Sequence, residues 1–480
     1  MPAGRLAQVV KAYDVRGRVP AELDAEVCAA LGSAFAQVVL IPEGAIGLVV
    51  GYDMRDSSPA LSEAVVDGVR AHGVDVTRIG LSSTDELYYA SGLLGMPGVM
   101  VTASHNPAGY NGMKMCRAGA RPVGAESGLP EIRDLAQWLL DRGGLHNEGS
   151  RSGGRGAVAD VQVLGRYADH LHSLVDLTGG RELTVVVDAG NGMAGRTVPV
   201  VLDRARVPVR VIPLYLELDG SFPHHEANPL DTSTLADLQR AVLEHGADLG
   251  LAFDGDADRC FVVDEVGAPV PAGAVVALIA ERLIRAELAA GVAPEQVHIV
   301  YTTLCSRVVT DTITELGARP VRSLVGHTFV KAAMAQHGAI FGGEHSGHYY
   351  FRDFFGADSG MLAAMHVLAA VGETEQGQRV SGLLAPYLRY AASGEINLEV
   401  PDREAAVGRV EEWGRRQHGV DVERVDGVVL THPAAPLWWV SVRGSNTEPL
   451  LRFNVEAADT ATLQRIRDLV APVAMGTVSS

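Results

Sequence analysis

The sequence is poor in positive charge relative to negative charge. Its 40 Lys and Arg residues are outnumbered by 58 Asp and Glu residues, which gives a formal net charge of −18 at pH 7. A strongly basic nucleic-acid binder is therefore excluded, because such a protein needs a surplus of positive charge to displace counterions. An acidic chain can still bind an anionic substrate if a local group of Arg, Lys and backbone N–H groups contacts it.

Cysteines are few, and long hydrophobic runs are missing. Cys28, Cys116, Cys260 and Cys305 are widely separated and form no C-x-x-C pair, which argues against a zinc knuckle and a disulfide scaffold. Scattered thiols of this kind fit a reducing compartment. The first ten residues lack the apolar segment of a secretory signal, and the longest near-apolar stretch, residues 270–280, is too short to span a bilayer. We therefore expect a cytoplasmic protein without a membrane or nucleic-acid partner.

What the sequence does contain is a repeated α/β rhythm. The apolar fraction of 47% and the charged fraction of 20% are those of ordinary globular proteins, and 480 residues predict about three domains. Short β-branched runs lead into Gly-rich turns and then into helical stretches, as at residues 184–202. Continuous apolar strands alternating with helices predict parallel sheets covered on both faces, with the chemistry in loops at the carboxyl ends of strands.

Breaks in this rhythm indicate where one domain ends and the next begins. Residues 143–156 are rich in Gly and Ser without periodicity, and further breaks lie near residues 266–271 and 372–377. From residue 391 the pattern changes to alternating strands. This change predicts a smaller α+β domain in the last part of the chain.

The first candidate site is the run TASHNP, which follows a predicted strand at residues 99–101. Pro107 disfavours a helical conformation at Asn106, so we expect Ser104 on a fixed, extended loop. A serine held in this way can act as a nucleophile or a phosphoryl carrier, or it can be incidental to an Asn-Pro turn. The run is not a G-x-S-x-G nucleophile elbow, since Thr102 and Asn106 stand at the glycine positions.

The second candidate is the run DGDADR, which places Asp254, Asp256 and Asp258 directly after a predicted strand. Carboxylates at alternate positions converge if the loop curls, and hard oxygen ligands suit Mg²⁺ or Ca²⁺ better than zinc. An EF-hand is excluded because Arg259 stands where that loop needs glycine and the flanking patterns are strands. Three like charges on one turn repel one another without a cation, so the run predicts a metal site rather than a solvated acidic turn.

The third candidate is the run GGEHSGH. Glu344, Ser346 and His348 alternate along it, so their side chains can share one face, and glutamate and serine suit the hydroxyl groups of a sugar. His345 and His348 have the spacing of a metal pair, but no Cys or third His lies nearby to complete a zinc site. The run therefore predicts sugar binding more strongly than metal binding.

The fourth candidate is the run RGSNTEP, after a predicted strand at residues 437–442. Its guanidinium, hydroxyl, amide and backbone N–H groups would make a suitable phosphate cradle, although an ordinary polar turn has the same composition. The side chains concerned are those of Arg443, Ser445, Asn446 and Thr447.

Two shorter runs carry isolated polar residues. KAYDVRG places Tyr13 and Arg16 near the start of the chain, and His327 lies in a Gly-His-Thr run after a strand-like segment. A single histidine is more often structural than catalytic, so these residues become informative only together with the other runs.

Together and in order, YDVRG, TASHNP, NGMK, DGDADR, GHT, GEHSGH, SGEIN and RGSNTEP resemble the α-D-phosphohexomutase superfamily, in its phosphomannomutase/phosphoglucomutase branch. The resemblance covers nearly the whole chain. It implies an α/β fold: three related α/β domains with mixed, mostly parallel sheets and a smaller C-terminal α+β domain, around a central cleft. We place the domains at residues 1–150, 151–267, 268–376 and 377–480 and expect residues 372–377 to act as the hinge of the last one.

The resemblance also implies a reaction. Ser104 would carry a phosphoryl group, and Asp254, Asp256 and Asp258 would hold one Mg²⁺ together with an oxygen of that phosphoserine. The phosphoserine would give its phosphoryl group to the free hydroxyl of a hexose monophosphate. The resulting hexose 1,6-bisphosphate, which also serves as an activator, would turn over in the cleft and return its other phosphate to Ser104.

Basic and polar residues would assist this transfer. Arg259 and Lys114 would add positive charge beside Mg²⁺. Arg16, Lys114 and His327 are candidates for proton handling, but the very high pKa of arginine makes Arg16 better suited to an electrostatic or positioning role. Glu344 and Ser346 would grip O3 and O4 of the sugar, with His348 beside them. The phosphate that is not reacting would be held by Tyr13, Arg443, Ser445, Asn446 and Thr447.

One position departs from part of the family. A lysine that precedes the cysteine of the turn at residues 305–307 is replaced here by Leu304. The positive charge of the phosphate site would then be lower, or it would come from Arg307 or Lys331.

Other interpretations of the same motifs remain open. The expected substrates are mannose and/or glucose phosphates, yet a Glu-x-Ser loop does not exclude a phosphoglucosamine mutase. A non-catalytic sugar-phosphate-binding protein would be favoured by the loss of Ser104 or of an aspartate, and none is lost. An aspartyl phosphatase would leave Ser104 and the run RGSNTEP unexplained. We expect small-molecule sugar phosphates as partners and a monomer or a homodimer.

Overall fold

Four sheets, one in each of four units, organise the computed structural model, which describes residues 4–143, 154–375, 377–444 and 450–477. Most of the predicted linker at 143–156 falls outside these residues. Within the described ranges, we find no helix with the length and apolar character that crossing a membrane requires.

The first unit carries helices on both faces of its sheet. The strand order is β1-β5-β4-β2-β3-β7, with β6 paired to β5. Strand β7 lies beyond the predicted boundary at residue 150 and still pairs with β3, which favours a later boundary. The elements are β1 (Val15–Arg18), α1 (Ala25–Phe35), β2 (Leu48–Tyr52), α2 (Ser58–Arg70), β3 (Val76–Leu81), α3 (Thr84–Leu94), β4 (Gly98–Val101), β5 (Tyr110–Arg117), β6 (Arg121–Pro122), α4 (Leu129–Asp141) and β7 (Val158–Asp160).

The second and third units have five-stranded sheets in the orders β12-β11-β10-β8-β9 and β14-β13-β15-β16-β17. The second contains α5 (Leu164–Leu174), β8 (Leu183–Asp188), α6 (Ala194–Leu202), β9 (Val209–Leu214), α7 (Ala236–His245), β10 (Leu249–Phe253), β11 (Cys260–Val263) and β12 (Pro269–Val270). The third contains α8 (Ala272–Ala289), β13 (His298–Thr302), α9 (Arg307–Glu315), β14 (Arg319–Ser323), α10 (His327–His337), β15 (Phe341–Gly343), β16 (Tyr349–Phe351), β17 (Ala357–Asp358), α11 (Gly360–Gly372) and α12 (Val380–Leu384).

The fourth unit is an antiparallel sheet in the order β18-β22-β21-β20-β19, packed against two helices. It is the smaller α+β domain that the change of pattern at residue 391 predicts. Its elements are β18 (Ala391–Glu399), α13 (Arg403–Arg416), β19 (Asp421–Glu423), β20 (Val428–His432), β21 (Trp438–Gly444), β22 (Leu450–Ala457) and α14 (Thr460–Met475).

The sheets of the first three units are mixed, as predicted, but parallel pairs do not predominate among the described strands. In the second sheet, for example, β8 pairs in parallel with β9 and β10, whereas β11 pairs antiparallel with β10 and β12. The strand after each of three motif loops returns by a short connection and pairs antiparallel with the strand before it, as β5, β11 and β16 do. A short connection permits only antiparallel pairing, since parallel strands need a long crossover.

The hydrophobic cores show which units share buried contacts. One hydrophobic core is shared by α3 of the first unit and by the sheets of the second and third units. The helices α5, α6, α8 and α11 of those two units belong to the same core. The fourth unit has a separate core formed by its own sheet, α13 and α14. A unit with its own core can change orientation without disrupting the other three, so we expect any large motion to involve the fourth.

The segment before the fourth unit is attached to the second and third units. Val380 and Leu384 of α12 belong to the same core as α8, and the Ser381 hydroxyl donates to Glu265 at 2.5 Å. The Gly372 carbonyl, at the end of α11, accepts the Arg181 N–H at 2.9 Å. These contacts favour a pivot after α12, close to the start of β18, over the one expected at residues 372–377.

Candidate active site

Three of the predicted motif loops follow the central strands β4, β10 and β15, at the carboxyl ends where parallel sheets place their chemistry. They face a cleft of about 1200 Å³. Glu344, Ser346 and Arg443 are not among the residues that line it, although Glu344 and Arg443 lie close enough to Tyr13 for their charges to act on its phenol. The predicted site residues that line the cleft are Tyr13, Arg16, Ser104, Lys114, Asp258, His327 and His348.

Ser104 lies in a tight turn rather than on the extended loop predicted from Pro107. Its φ is +49°, a left-handed conformation that a residue with a side chain adopts at a cost. The Ser104 N–H donates to the Thr102 hydroxyl oxygen at 2.9 Å, and the Ser104 hydroxyl donates to Asp254 Oδ2 at 2.6 Å. Ser104 is only 3% exposed. The turn thus directs its hydroxyl group at the acidic loop, which is the run DGDADR at residues 254–259.

Arg55, which the sequence reasoning missed, fixes this turn from behind. Its guanidinium donates to the carbonyl oxygens of Ser104, Asn106, Pro107 and Tyr110 at 2.6–3.0 Å. Arg55 is itself 1% exposed, and the Asp53 carboxylate lies 3.3 Å from its Nε. The available signal was the position of this Arg-Asp pair just after the predicted strand β2, at the same sheet edge as Ser104.

The three aspartates of the acidic loop converge as predicted. One oxygen from each of Asp254, Asp256 and Asp258 lies within 4.8 Å of the others, and all three residues are buried. Gly255 allows the loop to approach the serine turn, because a Cβ atom there would collide with the Ser104 carbonyl oxygen. The loop and the turn are therefore built as one site.

Lys114 bridges two of these aspartates and leaves part of each free. Its ammonium group donates to Asp256 Oδ2 at 2.7 Å and to Asp258 Oδ2. The other oxygen of each carboxylate, Oδ1, is buried and has no hydrogen-bond partner within the described part of the chain. Buried carboxylate oxygens rarely remain unpaired, and clustered hard oxygen donors suit a divalent cation such as Mg²⁺. The residues present thus fit a metal ion.

Burial and mutual repulsion act differently on the members of this cluster. Burial and the neighbouring Asp256 charge raise the pKa of Asp258 to about 7. Burial also opposes ionisation of Asp256, but the adjacent Lys114 ammonium outweighs it and holds that pKa below its usual value. The carboxylates in turn raise the pKa of Lys114 against the effect of burial. Lys114 therefore remains a cation.

Thr84, which was not predicted, and Arg259, which was, both hold the cluster in place. The Thr84 hydroxyl donates to Asp256 Oδ2 at 2.5 Å, and the Thr84 N–H donates to the Asp256 carbonyl oxygen at 3.0 Å. Thr84 is the first residue of α3, whose N-terminus is capped by Ser83. Arg259 Nε donates to Asp254 Oδ2 at 2.9 Å. Thr84 left no sequence signal, since it approaches the acidic loop from another unit.

Arg16 and His327 both line the cleft, but they differ in their hydrogen bonding. The Arg16 guanidinium donates to the Thr102 carbonyl oxygen and lies 3.1 Å from Asp14 Oδ2. The His327 ring packs edge-on against the Tyr13 ring, with 5.1 Å between the centroids. Neither ring nitrogen of His327 has a partner among the described residues, and burial and the Lys331 charge hold its pKa well below its usual value. His327 is therefore a neutral imidazole.

The sugar loop is the run GGEHSGH at residues 342–348. Its polar side chains contact neighbours that the sequence did not single out. Glu344 accepts a hydrogen bond from the Tyr350 hydroxyl, and the Ser346 hydroxyl lies 3.5 Å from Glu344 Oε2. His348 Nδ1 lies 3.1 Å from Asp358 Oδ2. An isolated bridge between Arg259 and His348 joins this loop to the acidic loop, which brings the second and third units together at the cleft.

The remaining predictions concern Leu304 and the phosphate loop, which is the run RGSNTEP at residues 443–449. Arg443 is 7% exposed at the end of β21, while Ser445, Asn446 and Thr447 lie outside the described residues. Leu304 is buried, and both proposed substitutes for a lysine there lie beside a carboxylate. Arg307 Nε is 3.3 Å from Asp311, and Lys331 Nζ is 2.7 Å from Asp358 and 3.7 Å from the Tyr88 ring centroid.

Comparisons with known proteins agree with this architecture. The chain matches the phosphoglucomutase/phosphomannomutase α/β/α domains I, II and III over residues 7–137, 165–267 and 273–390, and the C-terminal domain over residues 395–473.

Individual proteins match over nearly the whole chain. It is 36% identical to a phosphomannomutase of Escherichia coli K12 over 463 residues, which cover 95% of this chain and 96% of that protein. It is 37% identical over 462 residues to the phosphohexose mutases of Xanthomonas campestris, with the same coverage. A crystal structure of a phosphoglucomutase/phosphomannomutase family protein from Burkholderia thailandensis aligns with a TM-score of 0.84 at 28% identity, over 98% of each chain.

Proposed function

The chain belongs to the phosphoglucomutase/phosphomannomutase family and is a phosphohexomutase, an isomerase of hexose phosphates, and we propose that it interconverts the 6- and 1-phosphates of mannose and/or glucose through a phosphoserine at Ser104. The observation that carries this proposal is the position of the Ser104 hydroxyl group. It lies in the cleft, 2.6 Å from Asp254, where a group transferred to or from it meets both the acidic loop and the substrate.

Asp254, Asp256 and Asp258 would hold one Mg²⁺ together with an oxygen of the phosphoserine. The unpaired Oδ1 atoms of Asp256 and Asp258 support this assignment. The ion would supply positive charge that offsets the negative charge on the phosphoryl group during transfer.

Three basic side chains of the protein add positive charge beside the transferring phosphoryl group. Lys114 and Arg259 are buried beside the aspartates, and Arg16 is held on the cleft wall by the Thr102 carbonyl group. Phosphoryl transfer requires in-line placement and neutralisation of charge on the moving group more than covalent assistance. These three residues therefore act by electrostatic stabilisation and by positioning, since the raised pKa of Lys114 makes it a poor base.

His327 handles the proton in this proposal. As the O–P bond to the sugar forms, the attacking hydroxyl group must lose a proton, and the Ser104 oxygen that leaves must gain one. His327 is neutral and has no competing partner at either ring nitrogen among the described residues. It accepts the proton from the sugar hydroxyl, while the departing Ser104 oxygen takes up a proton from solvent in the cleft. In the reverse direction Ser104 releases its proton to solvent and His327 returns one to the sugar oxygen.

The substrate is held at two places. Glu344 and Ser346, with His348, grip the sugar hydroxyl groups, and Tyr13 and Arg443 bind the phosphate that is not reacting, together with the loop residues Ser445, Asn446 and Thr447. The hexose 1,6-bisphosphate must bind in two orientations, with either of its phosphates at Ser104. Each contact is therefore to a group that occupies the same place in both orientations. The binding energy of these contacts, which are remote from the reacting phosphate, holds that phosphate in position for transfer.

A coupled mutase assay tests the proposal. It uses Mg²⁺ with a trace of hexose 1,6-bisphosphate, and it compares mannose, glucose and glucosamine 1-phosphates, with Ser104→Ala alongside. We expect turnover of mannose and glucose phosphates that collapses in the variant. A clear preference for glucosamine 1-phosphate would identify a phosphoglucosamine mutase instead. Turnover that is indifferent to Ser104 would contradict the phosphoserine mechanism.

A further inference from the structure

The loop that follows β9 in the second unit packs against the backbone that carries Arg55. This loop, residues 219–227 with the sequence DGSFPHHEA, leaves the sheet at the same edge as the acidic loop, because β8, β9 and β10 run in parallel. A Cβ atom at Gly220 would lie 2.6 Å from the Arg55 Cα atom, so a larger residue would not fit between the two backbones. The 219–227 loop therefore reaches the support of the serine turn from another unit.

Phe222 covers the guanidinium group of Arg55. The centroid of its ring lies 5.0 Å from the Arg55 Cζ atom, which is within the range of a cation–π contact. Phe222 is 8% exposed and Arg55 is 1% exposed, so the contact is shielded from water, and such contacts are stronger when they are desolvated. The ring thus stabilises the guanidinium group that donates four hydrogen bonds to the carbonyl oxygens of the serine turn.

The backbone of Phe222 is held in an unfavourable conformation. Its φ is +52°, in the left-handed region that a residue with a large side chain occupies at a cost. A tight turn enforces this conformation, since the Phe222 N–H donates to the Asp219 carbonyl oxygen at 3.1 Å and the Ser221 N–H donates to Asp219 Oδ1 at 2.9 Å. Such strain persists only where surrounding contacts offset it, and the contact between the ring and Arg55 is one of them.

The far end of the 219–227 loop contacts the acidic loop. In the middle of the loop, the His224 ring stacks on the Tyr215 ring of the same unit, with 3.8 Å between the centroids. Ala227 is 1% exposed, and its Cβ atom lies 3.7 Å from the position that a Cβ atom at Gly255 would occupy. Gly255 is the residue through which the acidic loop packs against the serine turn. The 219–227 loop therefore contacts the support of the serine turn and the acidic loop at once.

We propose that Phe222 is a positioning residue for phosphoryl transfer, which acts through Arg55 to hold the Ser104 turn in place beside the acidic loop. This inference rests on the proposed function, in which Ser104 carries the phosphoryl group. Phe222 is not among the residues that line the cleft, so it acts without touching the substrate. Loss of its ring should therefore lower kcat and leave KM for the sugar phosphate unchanged, because in-line transfer depends on the position of the serine oxygen.

The first test compares substitutions at Phe222 in the steady-state mutase assay. Phe222→Leu keeps an apolar side chain without an aromatic face, and we expect kcat to fall about tenfold while KM stays within about twofold of the parent. Phe222→Tyr keeps the ring face and should retain kcat within about twofold. The matched control is Phe35→Leu, which removes a fully buried ring from the separate core of the first unit. It should lower the unfolding temperature and change kcat by less than about twofold.

A double substitution shows whether the effect passes through Arg55. In an Arg55→Lys background the guanidinium group that the ring covers is gone, so adding Phe222→Leu should lower kcat by less than about twofold further. A further loss of the full tenfold would mean that Phe222 acts independently of Arg55, and the inference would be overturned. It is also overturned if Phe222→Leu keeps the parental kcat or if Phe222→Tyr loses as much as Phe222→Leu. If Phe222→Leu does not fold, Phe222→Met takes its place with the same expected values.

Hydrogen exchange of the serine turn distinguishes this inference from the proposed function, because it needs no turnover. The N–H groups of Asn106 and Tyr110 donate within the turn, at 3.0 Å each, to the carbonyl oxygens of Ala103 and Pro107. We expect these amides to exchange about tenfold faster in Phe222→Leu than in the parent or in Phe222→Tyr. Unchanged exchange would overturn the inference even if Ser104 carries the phosphoryl group. Faster exchange in a protein whose turnover is indifferent to Ser104 would refute the phosphoserine mechanism and still support the hold of Phe222 on the turn.

Discussion

Arg55→Lys tests whether the Arg55 guanidinium holds the Ser104 turn in place, since the substitution keeps the positive charge and removes the planar fork. The four carbonyl oxygens that Arg55 contacts, those of Ser104, Asn106, Pro107 and Tyr110, are spread along the turn. A lysine ammonium is a compact point charge with three donors, so it cannot span them. We expect two of the four hydrogen bonds to be lost.

The magnitude follows from these two bonds. A hydrogen bond from a charged donor contributes about 1.5–3 kcal/mol, so the turn should lose about 3 kcal/mol or more relative to displaced conformations. Ser104 already has a left-handed φ of +49°, which persists only while the surroundings enforce it. Displacement of a reacting atom by about 1 Å costs about a hundredfold in rate, and we expect kcat to fall by about that factor.

The assay is the steady-state mutase rate with saturating glucose 1-phosphate, accompanied by a thermal unfolding profile. Arg78→Lys is the matched control, because Arg78 is a partly exposed arginine of the same unit that pairs with Glu63 and Asp160. It should change kcat by less than about twofold. If Arg55→Lys keeps the parental kcat and unfolds as the parent does, the guanidinium does not position Ser104 and this reasoning is refuted.

Three further predictions follow from buried contacts. Thr84→Val removes the hydroxyl that orients Asp256 and should raise the Mg²⁺ concentration for half-maximal activity about tenfold, while Thr84→Ser should not; equal values would contradict this role. Tyr350→Phe removes a donor to Glu344 and should raise KM for the sugar phosphate about fivefold to tenfold; an unchanged KM would exclude a positioning role. Burial raises the pKa of Glu86 from 4.5 to about 7. Between pH 4.5 and pH 7 the folded state therefore binds a proton at Glu86 that the unfolded state does not bind. The free energy of unfolding consequently falls as the pH rises through this range. Glu86→Gln should therefore be more stable than the parent at pH 8 by up to about 3 kcal/mol and nearly equal to it at pH 4, as denaturant unfolding would measure; an equal difference at both pH values would contradict this.

Much of the site could be predicted because each motif is a short run at the end of a strand. Ser104, Asp254 and Glu344 were found from local patterns, and the sheet edges brought their loops into one region. The length alone predicted about three domains, and the four units were implied by the family resemblance of the ordered motifs. The alternating pattern after residue 391 predicted the smaller α+β domain.

The supporting residues could not be found in this way. Thr84 is separated from Asp256 by 172 positions, and Arg55 from Ser104 by 49, so no local pattern records either contact. Which remote segment approaches a loop depends on how whole units pack. The even mixture of parallel and antiparallel pairs was missed for a related reason, since an apolar run indicates a buried strand but not the direction of its neighbours.

The central claim is that Ser104 carries the phosphoryl group, and locating that group on the protein tests it most directly. The protein is incubated with glucose 1,6-bisphosphate and Mg²⁺, digested, and mapped by mass spectrometry, with Ser104→Ala in parallel. We predict one acid-stable phosphoryl group on the peptide that contains Ser104, removed by excess glucose 6-phosphate and missing from the variant. An acid-labile phosphoryl group on an aspartate of the acidic loop, or a phosphoryl group that persists in Ser104→Ala, would contradict the account.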